Sequence, residues 1–182
     1  GKLSKLLLKL NFNVTATEPN KEMIKFGKKN TKKFKNINWI KSSAENLKFN
    51  KRFRGVFFGS SFNVINKKKF FKKCKNILDK NGYIVCMWNH RNLKDPQQKK
   101  IEEIIKMNIK NFDYGSRREN PSNEINKSVL FQNVKKISYS FKNKIKKKEF
   151  IEAWESHATL RRQCKDNTHF KKIIHEIRKY IY

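Results

Sequence analysis

The feature that most constrains the fold is a change of hydrophobic period that repeats along residues 1–91. Lys2 to Leu10 places Leu3, Leu6, Leu7 and Leu10 at helical spacing, which predicts a helix entered directly from Gly1. Val14 to Thr17 then reads as a short strand that stops at Glu18-Pro19. Pro19 suits the first turn of a following helix, where its missing N–H would have no partner anyway. That helix is expected from Lys21 to Asn30, with Met23, Ile24 and Phe26 inward.

The alternation continues. Asn36 to Lys41 predicts a second strand and ends in the polar loop Ser42-Ser43-Ala44-Glu45. Gly55-Val56-Phe57-Phe58 is an apolar run suited to a buried strand, followed by Gly59-Ser60-Ser61-Phe62-Asn63. Lys67 to Leu78 carries Phe70, Phe71, Cys74, Ile77 and Leu78 at helical spacing, and Gly82 suits a left-handed turn after it. Tyr83 to Trp88 is another strand, ending in Asn89-His90-Arg91. Strands separated by helices predict an α/β fold: one parallel sheet with helices on both faces and right-handed crossovers. The loops after Thr17, Lys41, Phe58 and Trp88 would then gather at one edge, where open α/β sheets bind ligands.

Beyond Arg91 the pattern loosens. A helix is expected from Pro96 to Phe112, a polar lid-like loop from Asp113 to Asn126, one or two late strands from Phe131 to Phe141, and helices over Lys147–Leu160 and Thr168–Tyr182. No repeat or clear boundary appears, so the expectation is one domain over 1–182, with a ligand-binding half over 1–92 and a substrate-side half over 93–182.

Lys and Arg number 45 against 15 Asp and Glu, a formal charge of +30, which favours polyanions as partners. The lysines are spread along the whole chain, and abundant Lys, Asn, Ile and Phe also follow from AT-rich codons. Nonspecific, salt-sensitive nucleic-acid binding is expected on either account. Cys74, Cys86 and Cys164 form no C-x-x-C and suit a reducing cytoplasmic setting, and no apolar run is long enough to span a membrane. The four histidines show no metal spacing with the cysteines.

The run Gly1-Lys2-Leu3 with Leu6-Leu7, then Thr17-Glu18-Pro19-Asn20 with Met23, then Ser43-Ala44-Glu45-Asn46-Leu47, resembles the class I S-adenosylmethionine-dependent methyltransferases. Ile77-Leu78-Asp79-Lys80-Asn81-Gly82 is similar to the family's leucine-proline-glycine-glycine turn, and Trp88-Asn89 to the end of its fifth strand. The nearest type is the small-molecule group related to trans-aconitate methyltransferases, called methyltransferase type 11. The resemblance implies a Rossmann-like sheet and S-adenosyl-L-methionine as cofactor. Glu18 would take the ribose hydroxyls, Pro19, Asn20 and Met23 would flank the adenine, and Ala44 and Glu45 would meet its edge. Gly1 would close the glycine-rich loop, whose remainder and first strand are expected upstream. Ser60 falls where the cofactor sits, and Ser61, Phe62, Asn63 and Asn89 on the substrate side.

Three positions depart from the family pattern: Ser43 replaces an acid, Arg54 an aspartate, and Phe62-Asn63-Val64 a phenylalanine-histidine-tryptophan. His90 is the candidate general base, and Arg117, Arg118, Arg161 and Arg162 suit a carboxylate-bearing substrate. Two other functions stay open: a non-catalytic relative, and a basic RNA-binding or RNA-methylating protein.

Overall fold

Side-chain caps set most of the helix starts. The computed structural model describes residues 1–182, with the side chain of Arg117 outside the description. The chain forms α1 (Lys2–Lys9), β1 (Val14–Thr17), α2 (Lys21–Thr31), β2 (Ile37–Ile40), β3 (Phe53–Gly59), α3 (Lys67–Ile77), β4 (Leu78–Met87), α4 (Pro96–Asn108), α5 (Ser122–Lys127), α6 (Lys147–Glu155), α7 (Ala158–Gln163) and α8 (Asn167–Ile181). Asn20, Asn66, Asp95, His157 and Asp166 each accept a backbone N–H at the start of a helix, satisfying donors that the helix itself leaves open. The chain divides into two compact units, 1–88 with 123–132, and 89–122 with 133–182.

In the first unit β1 pairs in parallel with β2, from Val14 opposite Ile37 to Thr17 opposite Ile40. β3 pairs in parallel with β4, from Gly55 opposite Tyr83 to Gly59 opposite Met87. These are two separate two-stranded sheets rather than the single sheet expected. Neither β1 nor β3 bonds to a strand along its second edge among the described residues.

α1 buries Leu8 and half-buries Leu3 and Leu7, leaving Leu6 and Leu10 exposed, so the inward stripe is narrower than four leucines. α2 buries Ile24, Gly27 and Thr31, spaced three and four apart, while Met23 and Phe26 point outward. Trp39 packs on Gly27, and its Nε1 donates to Thr31 Oγ1 at 3.2 Å. Below β3 and β4, Phe58, Phe62, Phe70 and Phe71 form a buried aromatic cluster with Cys74 and Ile77. Phe58 meets Phe70 and Phe62 edge to face at 5.0 and 5.1 Å between centroids, the arrangement ring quadrupoles favour.

Gly82 departs from expectation. It lies inside β4, and among the described residues the only glycine with positive φ is Gly115. The register slips between Phe53 and Gly55, and a Cβ at Gly82 would come within 2.9 Å of the Asp79 carbonyl oxygen. The residue is needed for close backbone approach in a bulge rather than for a left-handed turn.

The second unit is helical. Ile101, Ile104 and Ile105 of α4, Ile151 and Trp154 of α6, Leu160 of α7, and Phe170, Ile173, Ile174, Ile177 and Ile181 of α8 make one core. The single helix expected over Lys147–Leu160 breaks between α6 and α7, because His157 Nδ1 accepts the Leu160 N–H and starts a new helix. α4 stops at Asn108, whose side chain turns back to the Ile104 carbonyl and reaches Glu176. The polar stretch from Asp113 contains a 3-10 turn at Gly115–Arg118 and leads into α5. The late strands expected over 131–141 do not form, and Ile137, Tyr139 and Phe141 are exposed. They alternate as strand residues do, but nothing in this helical unit offers a ladder to pair with.

Candidate functional site

Glu18 is placed by continuation of the β1–β2 ladder. Its N–H donates to the Ile40 carbonyl at 3.1 Å, one residue past the end of β1. Its Oε1 accepts the Asn20 N–H at 3.0 Å, and Asn20 Oδ1 in turn accepts the N–H groups of Glu22 and Met23. The half-buried carboxylate is therefore fixed through one oxygen. Oε2 has no hydrogen-bond partner among the described residues. Pro19 and Asn20 are exposed beside it, and Met23 presents a 52 % exposed thioether side chain one helical turn away.

The loop after β2 is braced rather than open. Ala44 packs against the phenylalanine cluster. Glu45 Oε1 accepts the Asn66 N–H at 2.7 Å, tying this loop to the start of α3. That backbone bond holds the Glu45 carboxyl below its ordinary value, against the opposing effect of burial, with Ser43 and Lys69 adding to the lowering.

After β3 the chain turns sharply. Ser60 has φ of 55°, the left-handed region, and donates its N–H to the Met87 carbonyl at 2.8 Å. Ser60 is exposed and Ser61 and Asn63 are half-buried. Phe62 is wholly buried in the aromatic cluster, so its ring supports the loop and offers no surface to a ligand. At the start of α1, Gly1 lies against Gly27, and the Leu3 side chain sits over Gly59 at the end of β3. α1 thus touches both α2 and the end of β3, and no side chain caps its first N–H groups.

The structure brings Glu18, Pro19, Asn20 and Met23 into one short segment of the first unit, with the Ala44–Glu45 and Ser60–Asn63 loops in the same unit. Asn89 and His90 fall in the second unit, both exposed. Partial burial and then the nearby Arg118 charge hold His90 below its ordinary value of 6.5, so its imidazole is neutral near pH 7.

Of the arginines singled out for an acidic substrate, Arg118, Arg161 and Arg162 each engage different partners. Arg161 lies 3.9 Å from the Phe170 ring centroid and bonds to Asn167 Oδ1 and the Glu155 carbonyl, while Arg162 reaches Thr159. A hollow of about 410 Å3 lies beside Arg161, Phe170, His175 and Arg178, and does not include Arg162; Arg178 there is already paired with Glu155. Arg118 instead bonds to the Arg91 carbonyl, and Arg117 lies outside the described side chains.

Exposed lysines occur on α1, α2, α3 and α8 alike, so no one element gathers the positive charge. Among the described residues no helix is long and apolar enough to cross a membrane, and no three His, Cys, Asp or Glu side chains come together as metal ligands would. Burial pushes the Cys74 and Cys86 thiols up to about 12, and all three cysteines are free. Sequence reasoning passed over Arg91, Tyr114 and Trp154, which pack together in the second unit. Their separation along the chain hides that packing, and only the position of Arg91 just after a strand end hinted at a role.

Comparison with known proteins yields one match. Residues 1–86 fit the family model described as a methyltransferase domain. No curated protein and no solved structure matches the chain. The matched stretch covers every strand of the first unit up to Cys86.

Proposed function

On the premise that residues 1–86 form a methyltransferase domain of the S-adenosylmethionine-dependent class I type, we propose that the protein transfers a methyl group to a small-molecule acceptor and holds its cofactor at the carboxyl ends of β1, β2 and β3. The observation that carries this reading is the Glu18 carboxylate, fixed through Oε1 and unpartnered at Oε2. A carboxylate held this way suits a pair of ribose hydroxyls at a strand's carboxyl end. The other groups fit the same ligand. Met23 supplies an exposed apolar side chain for an adenine face, Ala44 a small neighbour, and the start of α1 uncapped N–H donors for an anionic group.

When bound, the cofactor supplies an activated methyl on a sulfonium, so the protein's contribution is alignment of the acceptor more than bond activation. Glu18 and Asn20, fixed by their own hydrogen bonds, would hold the cofactor's nucleoside end. The Ser60 turn presents its hydroxyl and backbone at the end of β3. His90 belongs to the second unit, and its neutral imidazole has the chemistry of a proton acceptor.

The reading includes a further parallel strand between β1 and β3. Two-stranded parallel sheets are marginal alone, and parallel sheets are normally buried on both faces. β1 and β3 each leave one edge open, and α1 touches elements on both sides of that gap. A strand there would join the two sheets and complete the wall of the cofactor site.

The test is equilibrium binding of S-adenosylmethionine to the full-length protein with and without Glu18→Ala. Losing a charge-assisted bond to the ribose is expected to raise Kd about tenfold or more. An unchanged Kd in a folded variant would remove Glu18 from the site.

A further inference from the structure

We infer that the second unit carries a binding site for a small-molecule oxyanion, a carboxylate or a phosphate, received by Arg91 and Arg118. The inference goes beyond the cofactor reading and does not depend on it.

The two arginines are neighbours. Arg118 Nη2 donates to the Arg91 backbone carbonyl at 2.9 Å, and both side chains are half-buried. Each guanidinium lies on an aromatic ring: Arg91 is 4.0 Å from the Trp154 ring centroid and Arg118 is 4.7 Å from that of Tyr114. Trp154 is only 1 % exposed and stacks on His157, so the platform under Arg91 is rigid. Stacking occupies the faces of the guanidinium and leaves its N–H edges for other acceptors.

Most of those edges are unused. No Arg91 side-chain donor has a hydrogen-bond acceptor among the described residues, and Arg118 spends one donor on a backbone carbonyl. No carboxylate lies within 4.0 Å of either guanidinium among the described residues. Glu102, whose charge acts on Tyr114, is itself paired with Lys106 at 2.7 Å. The Trp154 Nε1, fully buried, also lacks an acceptor.

Three other arginines differ. Arg178 meets Glu155 at 2.6 Å, Arg161 bonds to Asn167 and the Glu155 carbonyl, and Arg52 bonds to the Leu78 carbonyl. Holding two like charges together, partly out of water and with no counter-ion, is unfavourable unless something offsets it. Arginine forks match the paired oxygens of carboxylates and phosphates, so an oxyanion between Arg91 and Arg118 would satisfy donors that the protein leaves open.

The experiment is a titration of the full-length protein with sodium succinate and, separately, inorganic phosphate, each compared with sodium chloride at matched ionic strength. Calorimetry and tryptophan emission report binding, the latter because Trp154 underlies Arg91. Saturable binding of either probe above the chloride response is expected, and the tighter probe tells carboxylate from phosphoryl chemistry. Arg91→Met keeps an apolar stem over Trp154 and is expected to weaken that binding at least tenfold. Lys68→Gln with Lys72→Gln on α3, a larger loss of charge placed in the first unit, is expected to leave it unchanged. If Arg91→Met fails to fold by circular dichroism, Arg118→Met takes its place. A response equal to chloride for both probes, or an arginine variant that binds as the parent does, would overturn the site. Glu18→Ala leaves anion affinity untouched on this account, so failure here and failure of the cofactor reading are separable.

Discussion

The two units solve the problem of burial differently. The second fills its core with isoleucines at helical spacing on α4, α6 and α8, closed by Trp154, Leu160 and Phe170. Ile101, Ile105, Leu160, Ile173 and Ile177 have no exposed surface. The first interlocks four phenylalanines under β3 and β4, while β1 and β3 keep open edges and Leu6, Phe26 and Met23 stay exposed. A helix satisfies its own backbone and needs only a partner for one stripe, whereas a strand needs a neighbour on each edge as well. The helical unit therefore closes its core with its own residues, and the sheet unit keeps unspent backbone donors and acceptors along the open edges of β1 and β3 among the described residues.

The largest expected effect tests the two cores directly. Phe70→Ala removes a ring that meets Phe58, Phe62 and Phe71 within 6.4 Å, so the cavity cannot close without disturbing three other rings. Its cost is expected near 4 kcal/mol, against about 3 kcal/mol for Ile177→Ala in the helical core. Amide hydrogen exchange, read over 53–87 for the first and 167–181 for the second, locates each loss. Equal losses, or a larger one for Ile177→Ala, would show that the rings are not interlocked as described.

A smaller effect sharpens how tightly the first unit is built away from its rings. A Cβ at Gly27 would overlap the Trp39 ring, which its bond to Thr31 holds in place. Gly27→Ala is expected to cost about 2 kcal/mol by overpacking. At Gly59 an added Cβ meets the flexible Leu3 side chain, its Cδ2 at 3.2 Å and its Cβ at 3.5 Å, and Gly59→Ala is expected to cost under about 1 kcal/mol. Urea midpoints of the two variants give the comparison. If they coincide, Trp39 is free to move and the β1–β2 layer is looser than the structure shows.

What could be read from the sequence follows the same division. In the first unit the strand Val14–Thr17 and helices starting at Lys21 and Lys67 match expectation, because local period and side-chain caps decide them. The break in β-pairing between β1 and β3 could not be read, because pairing partners are set by contacts distant in sequence. The late strands failed for that reason too: Ile137, Tyr139 and Phe141 alternate correctly, yet alternation does not supply a neighbour. The break at His157 was missed because a histidine cap is unusual, and the helical pattern runs through it undisturbed. At the candidate site, Glu18 was legible from its position after a strand. The engagement of Glu45 with Asn66, 21 residues on, was not.

The smallest effect concerns that bond. Glu45 ties the loop after β2 to the start of α3, and it competes with any role the carboxylate has toward a ligand. The Asn66 N–H stabilises the ionised form, so the folded-state value lies below the ordinary 4.5. A lowered carboxyl contributes stability that is present above the unfolded value and is lost as pH falls through the folded one. Solvent screening of this half-exposed group limits the contribution to about 1 kcal/mol at neutral pH. Glu45→Ala is therefore expected to lower the urea midpoint slightly at pH 7. The gap from the parent should close as pH drops below about 4.5, since protonation removes the same interaction in both proteins. A gap that stays constant with pH would mean that Glu45 acts through shape alone. Its carboxylate would then be available to a ligand in the way the β1 loop leaves Glu18 available, and the contrast between the braced loop and the open one would disappear.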